Sequence, residues 1–177
     1  MFLDLLSSRR SIRNFRDQPV EKEKIAALVE AALRSPSSRG LNPWEFIVVS
    51  DKKLLAALAG CKPHGAAFLK DAPLGIVVLA DPNRCDVWVE DSSIASIFIH
   101  LAAHSLGLGS CWIQVRQRMH DTSTSAGKYI ADLLAVPDGL EIESIVAVGY
   151  PDSPLPGHKH ESLVYSKVHR DKYGDSL

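Results

Sequence analysis

The stretch Trp88 to Leu106 constrains the fold of this chain more than any other. It is the longest apolar segment, yet Glu90, Asp91, His100 and His104 interrupt it well short of the ~20 apolar residues a membrane span requires. A helix that is apolar over most of its circumference must be surrounded by protein. In a chain of 177 residues it is either a central helix or one shared with a second subunit, and we favour the shared helix. The 46% hydrophobic content is that of a globular protein, and the length suits one domain over residues 1–177.

Helices and strands interleave around that segment. Ile25, Leu28, Val29, Ala32 and Leu33 recur at helical spacing within Glu21 to Leu33, so an amphipathic helix is expected there. It ends at Ser35-Pro36-Ser37-Ser38-Arg39-Gly40, where Pro bars continuation and the small polar residues favour turns. A strand is expected from Glu45 to Ser50 and a short helix from Lys53 to Ala59. A strand apolar on both faces is expected from Gly75 to Ala80 between Pro73 and Pro82. Ser110 to Ile113 reads as strand or loop, Ser125 to Leu134 as helix, Pro137-Asp138-Gly139 as a turn and Ile142 to Val148 as a strand. From about residue 150 to 177 the periodicity fades, and the segment reads as an extended arm lying over another surface.

Charge and cysteine content exclude several classes. The 20 basic and 21 acidic residues leave a net charge of -1, so no global field draws the chain to nucleic acid or an anionic membrane. The first residues, Met1 to Leu6, carry Asp4 inside a short apolar run and no basic leader, so a cytoplasmic location is expected. Cys61, Cys85 and Cys111 lack C-x-x-C spacing, which argues for reduced thiols rather than a disulfide framework or a structural zinc.

A local anion site has a clear candidate in Arg9-Arg10-Ser11-Ile12-Arg13. Extended backbone sends alternate side chains to one side, so Arg9, Ser11 and Arg13 face one way over roughly 13 Å at ~3.3 Å per residue. Guanidinium forks suit phosphate oxygens. Taken alone, the run also fits a solvated basic turn at a helix end.

Other motifs fall short of the chemistry they suggest. Gly107-Leu108-Gly109 would place the third glycine of a dinucleotide fingerprint at Trp112 and follows a helix rather than a strand, so it reads as a helix cap. No Walker pattern occurs. His100 and His104 have metal-ligand spacing, but Leu101 stands where a zinc protease needs its Glu, so hydrogen-bonded histidines are expected. His158 and His160 around Lys159 read as a second anion contact rather than a metal site. No serine lies in a G-x-S-x-G elbow, and Cys111 reads as core.

Taken in order, Arg9-Arg10-Ser11-Ile12-Arg13-Asn14-Phe15, Ser35-Pro36-Ser37-Ser38-Arg39-Gly40-Leu41-Asn42-Pro43-Trp44-Glu45-Phe46, Asp71-Ala72-Pro73, Gly107-Leu108-Gly109-Ser110-Cys111-Trp112-Ile113 and Val148-Gly149-Tyr150-Pro151 resemble the FMN-dependent nitroreductase family. The resemblance covers nearly the whole chain. It implies an α+β fold, an α/β/α sandwich with a central, mainly antiparallel sheet, in an intertwined homodimer that binds two FMN molecules at the subunit interface.

By matching motif positions, the resemblance implies that Arg9, Arg10 and Ser11 hold the phosphate and ribityl chain and that Arg13 lies under the pyrimidine edge of the ring. From the partner chain, Pro36, Ser37, Ser38 and Gly40 meet the ring and ribityl. Trp112, Ile113 and Gln114 pass the N5 edge, and Lys159 or His160 completes the phosphate site. Gly40 and Asn42 stand where many relatives carry Asn and Gln, so a side-chain amide contact is lost or moved.

The implied activity is ping-pong hydride transfer from NADH or NADPH through the flavin to small flat acceptors such as nitroaromatics or quinones. The alternatives are a non-catalytic flavin-binding or redox-sensing dimer and, within the family, reductive dehalogenation or flavin fragmentation.

Overall fold

The computed structural model describes residues 1–153 and 155–176. Four strands form one antiparallel sheet: β1 (Trp44–Val49), β2 (Leu74–Ala80), β3 (Gly109–Gln114) and β4 (Glu141–Gly149), in the order β1-β2-β4-β3. The central pair, β2 and β4, runs in register from Leu74 opposite Val148 to Ala80 opposite Glu141. Every residue of β2 is buried, as expected of a strand apolar on both faces.

Two layers of helix cover the sheet. Alternation sends Val77, Leu79, Ile145 and Ala147 to one face, beneath Leu55 and Leu58 of α3 (Lys52–Ala59) and Ile130 of α5 (Ala126–Leu134). Leu74, Ile76, Val78, Val146 and Val148 face the other way, beneath Leu28 and Ala32 of α2 (Lys22–Leu33) and Ile99 and Ala103 of α4 (Trp88–Ser105). The expected α/β/α sandwich is therefore observed. Leu28, Leu55, Leu58, Ile99 and Ile130 are fully buried, and each contributes on the order of 1.5–3 kcal/mol.

Helix α4 has the expected bounds but an unexpected distribution of polarity. Its sheet-facing side buries Asp91, Ser92, Ser96 and His100 together with Ala95, Ile99 and Ala103. Ile94, Phe98 and Leu101 are only half-buried and Ile97 is 43% exposed, so an apolar stripe at i, i+3, i+4, i+7 is left uncovered. The helix ends in a Schellman cap: Gly107 has φ +74°, its N–H donates to His104 O at 3.1 Å, and Leu108 N–H donates to Ala103 O at 2.8 Å. The glycine pair thus begins as a helix cap, as its sequence context indicates.

A bulge in β4 supports the buried polar residues of α4. Val78 pairs with Ser144 and Leu79 with Ile142, leaving Glu143 as the extra residue. Glu143 and Ser144 then both face α4, where Ser93 Oγ donates to Glu143 Oε1 at 3.1 Å and Ser96 Oγ lies 3.3 Å from Ser144 Oγ. Burial raises the Glu143 carboxyl above its ordinary pKa.

One helix was not anticipated. Residues Phe2–Ser8 form α1, with the N-terminal ammonium donating to Asp4 Oδ2 at 2.6 Å, and none of its residues is buried. Beyond β4 the described residues form short helical turns at His160–Ser162 and Tyr165–Lys167, in the segment where an extended arm is expected; Pro154 and Leu177 lie outside the described residues. The arm packs on α1 so closely that a Cβ on Gly157 would meet the Ser7 carbonyl oxygen at 1.9 Å. Among the described residues no helix is long and apolar enough to cross a membrane, and Cys61, Cys85 and Cys111 are free and buried.

Candidate functional site

The chain leaves α1 at Arg9 in an extended conformation and runs beside the outer edge of β3. Ile12 N–H donates to Ser110 O at 2.9 Å, and Ser11 forms a parallel bridge with Ser110. Further on, Arg16 N–H donates to Tyr150 O and Asp152 N–H to Asn14 O. The segment is thereby pinned at both ends. Ile12 is buried against the backbone of Gly109.

Anchoring Ile12 inward sets the direction of its neighbours. Burial pushes the Cys111 thiol up, and the charges of Arg13, Arg9 and Lys62, with the Ser11 hydroxyl, oppose the shift. Arg13 also places its guanidinium 5.8 Å from the centre of the Phe68 ring. Arg10 points the other way and donates from Nη1 to Pro156 O at 2.6 Å, so it ties the N-terminal segment to the arm.

The two helical histidines are structural. His100 Nδ1 lies 2.7 Å from Ser110 Oγ and His104 Nε2 lies 2.8 Å from Ser8 Oγ. Burial, reinforced by the Arg9 charge, pushes His100 down to about 4, so its ring is neutral at pH 7. No group of three or more metal-ligating side chains occurs among the described residues.

Strand β3 is an edge strand, and alternation gives Ser110, Trp112 and Gln114 main-chain groups that face its outer edge. Lys62 Nζ donates to Gln114 O there at 2.7 Å. Trp112 Nε1 donates to Gln114 Oε1 at 3.0 Å, and Gln114 Nε2 donates to Arg116 O at 3.0 Å. Ile113 sends its side chain into the core, and alternation turns its main-chain groups toward Ile145 of β4, so it presents neither to the outer edge. Lys62 is the residue that sequence reasoning missed. Its setting, Gly60-Cys61-Lys62-Pro63-His64-Gly65, marks a loop and nothing more.

The Pro36–Gly40 loop lies at the opposite end of α4. Ser38 N–H donates to Asp91 Oδ1 at 2.8 Å, Ser37 Oγ donates to Asn42 Oδ1 at 2.7 Å, and Arg39 pairs with Asp86. Arg39 and Asn42 have positive φ, at 54° and 46°, on either side of Gly40 at 64°, and the two non-glycine residues carry backbone strain of the kind found at ligand sites. The Asn42 amide oxygen is turned inward to Ser37. From Asp91 to His100 is about 13 Å along the helix at ~1.5 Å per residue, so within one chain the loop and the Arg9–Arg13 segment do not meet. Lys159 and His160 are exposed, with contacts inside the arm: Lys159 O accepts from Ser162, and His160 Nε2 lies 3.0 Å from Tyr165 OH.

The model of the nitroreductase family matches residues 6–62 and 61–150. The chain belongs to the nitroreductase family. Among solved nitroreductases it is similar to an FMN-dependent nitroreductase from Clostridium difficile R20291, at 49% identity and a TM-score of 0.95 over 97% of this chain and 99% of the other. A relative from Archaeoglobus fulgidus, provisionally named NADH dehydrogenase/NAD(P)H nitroreductase, is 34% identical over 97% of this chain and 98% of its own length. The chain is also similar to the iodotyrosine deiodinase of Thermotoga neapolitana, at 24% identity over 93% of this chain and 96% of that protein.

Proposed function

We propose that this nitroreductase-family chain is an FMN-dependent NAD(P)H oxidoreductase and that residues 1–177 work as one FMN-binding domain with 150–177 as its arm. The observation that carries the reading is the placement of Arg9, Ser11 and Arg13 on a segment bridged to the outer edge of β3 at Ser110, with Lys62 Nζ on the same edge at Gln114 O. Among the described residues none of the three cations forms an ion pair with a carboxylate. Half-buried Arg9 and Lys62 and exposed Arg13, without counter-charge, favour an anionic ligand, and a flavin mononucleotide fits that donor set.

In this reading Arg9 and Ser11 take the phosphate and ribityl chain from one side of the segment. Arg10 acts from the other side, holding the arm through Pro156 so that Lys159 or His160 is brought to the phosphate. Arg13, stacked on Phe68, places its charge at the pyrimidine edge, where reduction adds negative charge. Trp112 and Gln114 offer main-chain groups to the ring edge, whereas those of Ile113 face β4. When bound, FMN supplies hydride transfer from NADH or NADPH to a small flat acceptor, a nitroaromatic or quinone, in alternating half-reactions. The residues of this chain position the group and tune its charge.

The site is completed by a second copy of the chain. The uncovered stripe of Ile94, Ile97, Phe98 and Leu101 on α4, with Phe2 and Leu3 of α1 at 62% and 71% exposed, forms an apolar surface that association would cover. A homodimer brings the partner's Pro36, Ser37, Ser38 and Gly40 to the Arg9–Arg13 segment that they cannot reach within one chain.

Anaerobic addition of NADH or NADPH to purified protein loaded with FMN tests the function. Bleaching of the flavin absorbance, followed by steady consumption of the nicotinamide once an acceptor is added, is the expected result. A flavin that stays oxidised with both donors overturns it, and bleaching without turnover supports the redox-sensing alternative. Because a deiodinase is among the proteins this chain is similar to, product analysis with halogenated and nitro-substituted phenols separates dehalogenation from nitro reduction.

A further inference from the structure

An edge strand presents acceptors as well as donors to whatever lies beside it. At the outer edge of β3 the N–H groups of Trp112 and Gln114 suit a flavin ring that gains negative charge, whereas the carbonyl oxygens on the same edge repel it. Ser110 O is taken by Ile12 N–H, and Gln114 O is taken by Lys62 Nζ at 2.7 Å. Lys62 comes from the loop after α3 and is half-buried. Trp112 O, between Ser110 O and Gln114 O on that edge, accepts from Cys111 Sγ at 3.6 Å. The Lys62 ammonium places a positive charge over the Gln114 carbonyl, on the edge along which the Arg9–Arg13 segment runs.

We propose that Lys62 is a third cation of the flavin site, which covers the Gln114 carbonyl and selects reduced, anionic FMN over the oxidised form. The proposal rests on the FMN reading above and adds to it a residue outside every motif of the resemblance. Two-electron, one-proton reduction of FMN leaves one negative charge on the ring, so a fixed ammonium beside it binds the reduced form more tightly while contributing little to the neutral ring. An alternative role, a tether holding the 60–66 loop to β3, involves the same hydrogen bond but is indifferent to the redox state of the ligand.

The flavin-loaded protein distinguishes the two. Lys62→Met is expected to bind oxidised FMN within about threefold of wild type while its preference for reduced over oxidised FMN falls about tenfold, equivalent to a midpoint potential ~30 mV lower for a two-electron couple. Lys62→Arg, which keeps the charge, is expected to restore most of that shift. An unchanged midpoint in Lys62→Met overturns the proposal and leaves the FMN reading standing. Equal loss of FMN and thermal stability in both variants also overturns it, in favour of the tether. A wild-type protein that takes up no FMN overturns both readings.

Discussion

Ile12 occupies the space that a side chain on Gly109 would need. A Cβ at Gly109 would lie 2.7 Å from Cβ and Cγ1 of Ile12 and 2.9 Å from Cγ2, far inside normal contact. This close approach lets the N-terminal segment lie against β3 and so aims Arg9, Ser11 and Arg13 at a common side. Gly109→Ala is therefore expected to push the segment off the strand, at a cost of about 1–3 kcal/mol for overpacking, and to weaken FMN binding by at least tenfold. Fluorescence titration of FMN with thermal melting of the ligand-free protein checks this; unchanged affinity would show that the segment's position is not what binds the ligand.

Arg9 and Arg13 share an environment but not a predicted role. Arg9→Ala should weaken FMN binding by about 1.5–3 kcal/mol, the usual worth of a charge-assisted hydrogen bond. Arg13→Ala should retain more flavin and lower its midpoint potential, since the charge at the pyrimidine edge favours the reduced form. Equilibrium binding paired with a redox titration on each variant separates the two effects, and identical behaviour of the two would contradict the division.

The buried His100 ring predicts an acid limb of stability. Its pKa is about 4 in the folded protein against an ordinary 6.5, so between those values the unfolded chain takes a proton that the folded chain does not. Stability is then lost as pH falls from about 6.5 to 4 and the loss levels off below, for a total of about 3 kcal/mol. His100→Gln keeps a partner for Ser110 without the titration. Urea unfolding at pH 7, 5.5 and 4 should show wild type falling relative to the variant, and parallel curves would exclude His100 as the cause.

The apolar stripe of α4 predicts an obligatory partner surface. Ile97→Glu places a charge at its centre, where Ile97 is 43% exposed in the single chain, and should convert a dimer to a monomer that has also lost FMN affinity. Sedimentation and flavin content measured on the same sample decide it. A variant that stays dimeric with bound flavin would move the interface elsewhere.

The Pro36–Gly40 loop and the Arg9–Arg13 segment show where legibility in the sequence stopped. Both are recognisable as motifs, because Pro, Gly and small polar residues specify turns locally and alternation specifies which side chains share a side. Their relation to each other is not local. Their anchors, Asp91 and His100, stand nine positions apart on α4, and only the packing of that helix across the sheet shows that one chain cannot bring them together. Lys62 was hidden for the same reason: a lysine in a Gly/Pro-bracketed loop has no periodicity, and its meaning depends on a carbonyl 52 positions away in sequence. Helix α1 was missed because a short apolar run that buries nothing carries no amphipathic signature.

By itself the sequence determined the order of helices and strands, the two-sided burial of β2, the helix cap at Gly107, the family resemblance and the phase of Arg9, Ser11 and Arg13, since propensity, turn chemistry and alternation act over a few residues. The tertiary structure decided which groups meet. It turned Arg10 away to the arm, put the polar side of α4 against the sheet and its apolar stripe outward, and brought Lys62 to the edge of β3. Those outcomes depend on close packing between distant segments, where a missing Cβ at Gly109 or an extra residue at Glu143 changes the direction of every neighbour.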